Sequence, residues 1–125
     1  MDYFEMANEC FKQGNYIEAL SYYEKSIEYD LNYGTALYNM GVCYIKLQEH
    51  EKAIKIFTKV LNLKNIHKRT ISNSFFNLGY SYCLLGDLGK AYQFIARSWC
   101  INPTDHACKK ALNLIEKRFL KLYDK

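Results

Sequence analysis

YNMGVCYIKLQEHEKA (residues 38–53) and FNLGYSYCLLGDLGKA (residues 76–91) align without a gap and share Asn39/Asn77, Gly41/Gly79, Tyr44/Tyr82, Leu47/Leu85, Lys52/Lys90 and Ala53/Ala91. FEMANECFKQGNYIEA (residues 4–19) is a third, weaker copy. The register continues past each segment: Tyr23, Phe57 and Ile95 share one slot, and Ser26, Val60 and Ser98 the next. Ala19 and Ala53 lie 34 residues apart and Ala53 and Ala91 lie 38 apart, the extra four falling in KNIHKRTIS (64–72) as a longer loop or an extended helix. A repeat of this length is one supersecondary unit, and it buries its apolar face only against its neighbours.

Within each copy the apolar residues recur at helical spacing, with a turn slot held by Gly14, Gln48 and Gly86. Inside a helix, Gly41 and Gly79 each cost about 1 kcal/mol relative to alanine. Their recurrence predicts a second helix approaching closely there, with Ala19, Ala53 and Ala91 as the facing residues. After Pro103, TDHACKKALNLIEKRFLKLYDK carries two apolar stripes, Ala107, Ala111, Leu114 and Arg118 beside Leu112, Ile115, Phe119 and Leu122, with a Lys-rich remainder. That pattern reads as a terminal capping helix.

A small-residue pair in one helix and an alanine in the next, repeating at 34 residues, resembles the tetratricopeptide repeat over almost the whole chain. Phe75, Leu78, Gly79, Tyr82, Gly86, Asp87, Ala91, Ile95 and Pro103 fill the family slots of the third copy. Departures lie elsewhere: Ala7 replaces a glycine, Gln48 the turn glycine, and Leu31 and Asn65 the usual proline. The resemblance implies an all-α fold, a right-handed α-solenoid of three antiparallel helix pairs plus a cap, seven helices in a single domain over 1–125. Its parts are repeat 1 at about 1–33, repeat 2 at about 34–67 with a loop extension at 64–71, repeat 3 at about 72–104 and the capping helix at about 105–122.

Two stripes run along each first helix. One, expected to pack the repeats, comprises Tyr3, Met6 and Cys10, then Leu37, Met40, Tyr44 and Leu47, then Phe75, Leu78, Tyr82 and Leu85. The other comprises Phe4, Asn8 and Phe11, then Tyr38, Val42 and Ile45, then Phe76, Tyr80 and Cys83, with Asn39 and Asn77 beside it. In the family, first helices line a concave surface. The resemblance therefore implies a groove in which the aromatic rings supply contact area and the asparagines pair with a ligand backbone. Its partner would be another protein, met as an extended peptide or an amphipathic helix, with Lys12 and Lys46 at the groove edge.

Some members of this family bind acidic chaperone tails through a clamp of lysine, asparagine, asparagine, lysine and arginine. The matching slots here hold Phe4, Asn8, Asn39, Asn73 and Asn77, so the amides are kept and the cations are gone. A free carboxylate would find no charge-assisted fork.

Composition sets the remaining expectations. In 125 residues, half of them apolar, there is material for one core. Residues 1–63 hold 6 basic and 9 acidic side chains, whereas residues 64–125 hold 11 and 4, so the second half is basic. The basic residues alternate with no stacking aromatics on a groove-reading element, which excludes nucleic acid as an expected partner. No run on the order of 18 apolar residues is present, and Asp2 and Glu5 stand where a signal peptide carries positive charge. The expectation is no membrane contact and a cytoplasmic protein, and the Met1 start points to a whole chain.

The five cysteines are odd in number and mostly set in apolar patterns, which predicts buried thiols. Cys100, His106 and Cys108 lack a fourth metal ligand, so no metal is expected. The three histidines are scattered and Cys83 has no His or cation nearby in sequence, so no enzyme and no cofactor are expected. Besides a peptide-binding scaffold, two classes stay open: a self-associating module, possible as a homo-oligomer through opposite charge at its ends, and a dedicated bacterial secretion-type chaperone.

Overall fold

The computed structural model describes residues 2–29 and 32–123, and among these the chain is helical with no strand. The helices are α1 (Tyr3–Lys12), α2 (Tyr16–Glu28), α3 (Tyr33–Lys46), α4 (His50–Leu61), α5 (Lys68–Leu84), α6 (Leu88–Ile101) and α7 (His106–Tyr123). Seven helices match the number expected from the repeats. They fall into two compact units, Met1–Ile66 with α1 to α4 and His67–Lys125 with α5 to α7. The four-residue insertion lengthens a helix: α5 begins at Lys68 and runs 17 residues, against 14 for α3.

The starts of α1, α6 and α7 are fixed by aspartate side chains. Asp2 accepts from the Glu5 amide at 2.8 Å, Asp87 from that of Lys90 at 3.1 Å and Asp105 from that of Ala107 at 2.9 Å. The first helix of each pair closes with the same turn. Asn15 N donates to Cys10 O, Glu49 N to Tyr44 O and Asp87 N to Tyr82 O at 2.8–2.9 Å, each one residue after a left-handed position. That position is Gly14 (φ +80), Gln48 (φ +61) and Gly86 (φ +88). The paired six-to-one and five-to-two bonds form a Schellman motif, and Gln48 adopts it at the steric cost of its Cβ. Its turn is therefore as tight as the glycine turns. Asn65 is also left-handed (φ +59), which a proline ring forbids, so asparagine in that slot reports a different backbone. Leu31, the other replacement for proline, lies outside the described residues.

In the first unit the buried core joins Ala7, Ala19, Tyr23, Ala36, Leu37, Met40, Cys43 and Val60. The α3–α4 crossing is set at Gly41, where an added Cβ would lie 2.6–2.9 Å from the Phe57 ring. In the second unit, α5 and α6 cross at Gly79, where a Cβ would meet Ile95 Cγ1 at 2.5 Å and the Ala91 carbonyl oxygen at 2.9 Å. Lower along the same pair, Ser98 Oγ donates to Ser72 O at 2.8 Å and Ser72 Oγ to Ser98 O at 3.2 Å. Cys108 of α7 adds a bond to Ser98 Oγ at 3.2 Å. Phe94 stacks between Phe75 (19° between planes) and Tyr82 (10°). On α7 the buried residues are Cys108 and Ile115, packed with Leu112 and Phe119 around Ala91 and Ile95.

Several expectations need correction. Tyr3 and Leu85, assigned to the packing stripe, are exposed: Tyr3 stacks outside on Tyr22 and Tyr29, and Leu85 is already the residue that ends α5. Leu114 and Leu122 of the cap are exposed as well. Among the cysteines only Cys43 and Cys108 are buried, while Cys100 is exposed.

Replacing Gly79 by alanine gains about 1 kcal/mol of helix propensity but forces a methyl onto a buried isoleucine and a backbone oxygen, which costs about 1–3 kcal/mol. Urea titration is expected to show Gly79→Ala destabilised by up to about 2 kcal/mol. Gln48→Gly, relieved of its left-handed Cβ, is expected to be more stable than the parent by roughly 0.5–1 kcal/mol.

Candidate functional site

The first unit carries nine of the predicted site residues. Asn8 (α1) and Asn39 (α3) meet at Tyr23 of α2, a side chain with 0% exposure. Tyr23 Oη donates to Asn8 Oδ1 at 2.5 Å, and Asn39 Nδ2 donates to Tyr23 Oη at 3.1 Å and reaches Asn8 Oδ1 at 3.5 Å. A buried hydroxyl without a partner is costly, so the two amides face inward onto the phenol. Burial pushes the Tyr23 hydroxyl up to about 12, against the opposing effect of the Asn39 hydrogen bond. Burial also raises the nearby Cys43 thiol to about 12.

The apolar members surround this network. Phe4 stands edge-on to Tyr23 at 6.1 Å, Phe11 to Tyr16 at 5.6 Å and Tyr38 to Phe57 at 5.7 Å, and all three rings are half-buried. Val42 and Ile45 are half-buried on α3, and Lys12 and Lys46 are exposed in the last turns of α1 and α3.

The second unit carries the other four on α5. Asn73, Phe76 and Asn77 are half-buried, and the Asn77 carbonyl accepts from Ser81 Oγ at 3.0 Å. Phe76 and Tyr80 are brought together in an apolar cavity of about 330 Å³ between α5 and α7, with Cys83 beside them and Ala111, Leu114 and Ile115 opposite. Ile95 of α6 forms its floor, and Lys110 and Arg118 complete the α7 side. Tyr80 and Leu114 stay 42% and 58% exposed although both are large and apolar.

Sequence reasoning missed the α7 contribution. Its signal was present in Ala107, Ala111, Leu114 and Arg118, a second stripe beside the one that packs, with more small and apolar residues than one buried face requires. The expectation that no cation lies near Cys83 is corrected: Arg118 Nη1 donates to Cys83 Sγ at 3.8 Å, from 35 residues away. Cys108 spends its thiol on Ser98, and no group of three His, Cys, Asp or Glu side chains among the described residues could hold a metal ion. Among the same residues no helix is long and apolar enough to cross a membrane.

Helix pairs closed by a left-handed residue, with a glycine at the crossing and an apolar first helix left partly uncovered, define a helical-repeat interaction fold. The profile described as tetratricopeptide repeat matches residues 3–66, and the chain belongs to that family. TPR repeat-containing protein MJ1428 of Methanocaldococcus jannaschii is 32% identical over 110 residues, which are 85% of this chain and 18% of that protein. The TPR2AB domain of yeast Sti1, in complex with pHSP90, superposes with a TM-score of 0.84 at 25% identity, over 96% of this chain and 47% of its own. The first TPR of Spaghetti (RPAP3), bound to the HSP90 peptide SRMEEVD, gives 0.84 at 22% identity, over 94% and 90%. The chain thus spans well under two thirds of the archaeal relative and of the yeast structure, and its class is the all-α, helical-repeat one.

The network yields a pH prediction. The unfolded thiol ionises from about 9 and the unfolded phenol from about 10, but the folded groups only near 12. Both shifts are upward, so their stabilisation is complete below pH 9 and is lost as the pH rises through 12. Unfolding monitored by circular dichroism is expected to show constant stability between pH 7 and 9 and a fall above it. Tyr23→Phe removes the hydroxyl bonded to both asparagines, leaving only their long mutual contact, and is expected to cost about 1–3 kcal/mol at pH 8 while making the alkaline fall shallower.

Proposed function

We propose that this chain is a non-enzymatic protein–protein interaction module that takes an apolar or aromatic segment of a partner, extended or helical, on its first helices. The observation that carries the reading is the cavity beside α5, where Phe76 and the exposed ring of Tyr80 face open space. In the first unit, Phe4, Phe11, Tyr38, Val42 and Ile45 supply the corresponding apolar surface, with Lys12 and Lys46 near it. Large rings held by packing give contact area with little loss of freedom on binding, which suits them as anchors.

The mode differs from a carboxylate clamp. The five clamp slots hold Phe4, Asn8, Asn39, Asn73 and Asn77, and two of those amides are occupied by Tyr23. A terminal carboxylate brought to them would find no cation in those five slots and would compete with an internal hydroxyl at Asn8 and Asn39. The yeast and Spaghetti domains bind HSP90 segments; this chain keeps the amides of such a site without its charge.

Affinity capture from source-cell extract tests the reading. Tyr80→Ala, at an exposed position, is expected to fold as the parent does by circular dichroism and to weaken partner retention about tenfold. A folded Tyr80→Ala protein that retains every partner would overturn it. Against the clamp alternative, SRMEEVD with a free C-terminus is expected to bind no better than its C-terminal amide.

A further inference from the structure

We infer that the cavity between α5 and α7 is the anchor site for an acidic peptide: one large apolar side chain of the partner enters between Tyr80 and Leu114, and carboxylates on either side of it pair with Lys110 and Arg118. The inference rests on the interaction-module reading and deepens it by naming the chemistry of the ligand.

The cavity asks for an apolar occupant at its centre. Its floor is Ile95 and Ile115, buried to 2% and 3% exposure, and at its mouth Tyr80 and Leu114 remain open to water. A side chain inserted there removes apolar surface on both partners from solvent, the main source of affinity in a site of this kind.

The charge at its edge is of one sign. Lys110 and Arg118 line it and no carboxylate does. The acidic side chains that could neutralise them within the described part of this unit are committed elsewhere. Asp87 and Asp105 cap helix starts, and Glu116 accepts from Tyr92 Oη at 3.0 Å. Residues 67–125 carry ten Lys or Arg and four Asp or Glu, a balance of +6, against seven and nine, a balance of −2, for residues 1–66. The contact of Arg118 to Cys83 Sγ, at 3.8 Å to a weak acceptor, gives way readily to a carboxylate.

Spacing fixes the ligand pattern. Lys110 and Arg118 are eight residues apart on α7, about 12 Å along the helix, with Leu114 midway. An extended peptide covers that distance in about four residues. The acidic residues therefore stand roughly two positions before and two after the apolar anchor.

The test uses the whole chain and a fluorescein-labelled peptide, GGESLSEGG, blocked at both ends so that no terminal charge takes part. Anisotropy titration at low salt is expected to show binding that weakens about tenfold when leucine is replaced by serine, and about fivefold when both glutamates become glutamine. Raising the salt to 0.3 M is expected to remove most of the glutamate contribution. Leu114→Ser and Arg118→Glu, both at exposed positions, are each expected to weaken binding at least fivefold with unchanged circular dichroism, while Lys55→Glu, on the exposed face of α4, leaves it unchanged. Equal affinity for the leucine and serine peptides overturns the inference, as does indifference to Leu114→Ser and Arg118→Glu. So does a low-salt dimer, seen by light scattering, that Arg118→Glu dissolves, because the occupant is then a second copy. If the peptides fail while Tyr80→Ala still loses its captured partner, the anchor is wrong and the module reading stands; if Tyr80→Ala retains every partner as well, both fall.

Discussion

A large side chain resting on the bare backbone of a glycine sets the distance between the helices of the later pairs. At Gly41 the ring of Phe57 occupies the volume a methyl would need, and at Gly79 the same role falls to Ile95 and the Ala91 carbonyl. That distance decides which neighbours can touch. Tyr38 reaches the edge of the same Phe57 ring, and Ile95, having filled the space over Gly79, presents its other side to the cavity. The contact that closes the helix pair is thus also the floor of the candidate site.

The first helix pair differs in chemistry from the two later pairs at the slot that faces the crossing. Around Tyr23 the first unit uses a phenol satisfied by two amides, in a slot that Phe57 and Ile95 fill with hydrocarbon in the later copies. The next slot holds Ser26, Val60 and Ser98, and in the last copy the serine hydroxyl finds a backbone carbonyl across the pair. One repeat template therefore tolerates both polar and apolar occupants, provided each polar one is paired.

The fold was legible because the period, the glycines and the alanines are local signals that recur. The 34-residue spacing and the pairing of Gly41 with Gly79 require no knowledge of distant contacts. The candidate site was legible in part. Phe76 and Tyr80 do share a cavity, yet the asparagines of α1 and α3, read as groove amides, are engaged by Tyr23. A tyrosine in a slot otherwise apolar was the sign that a partner had to be found for its hydroxyl. The meeting of Arg118 with Cys83 and the exposure of Leu114 depend on how α7 turns against α6, and no periodicity within α7 alone fixes that rotation.

The paired serines of α5 and α6 carry a different implication. Hydrocarbon packing allows two helices to slide or tilt by a fraction of an ångström at small cost, but two reciprocal bonds between Ser72 and Ser98, reinforced by Cys108, have direction and length. They act as a pin through three helices, near one end of the cavity's walls. On the proposed reading of the cavity, that pin orders α5, α6 and α7 before a ligand enters, which favours selection by shape over moulding to what arrives.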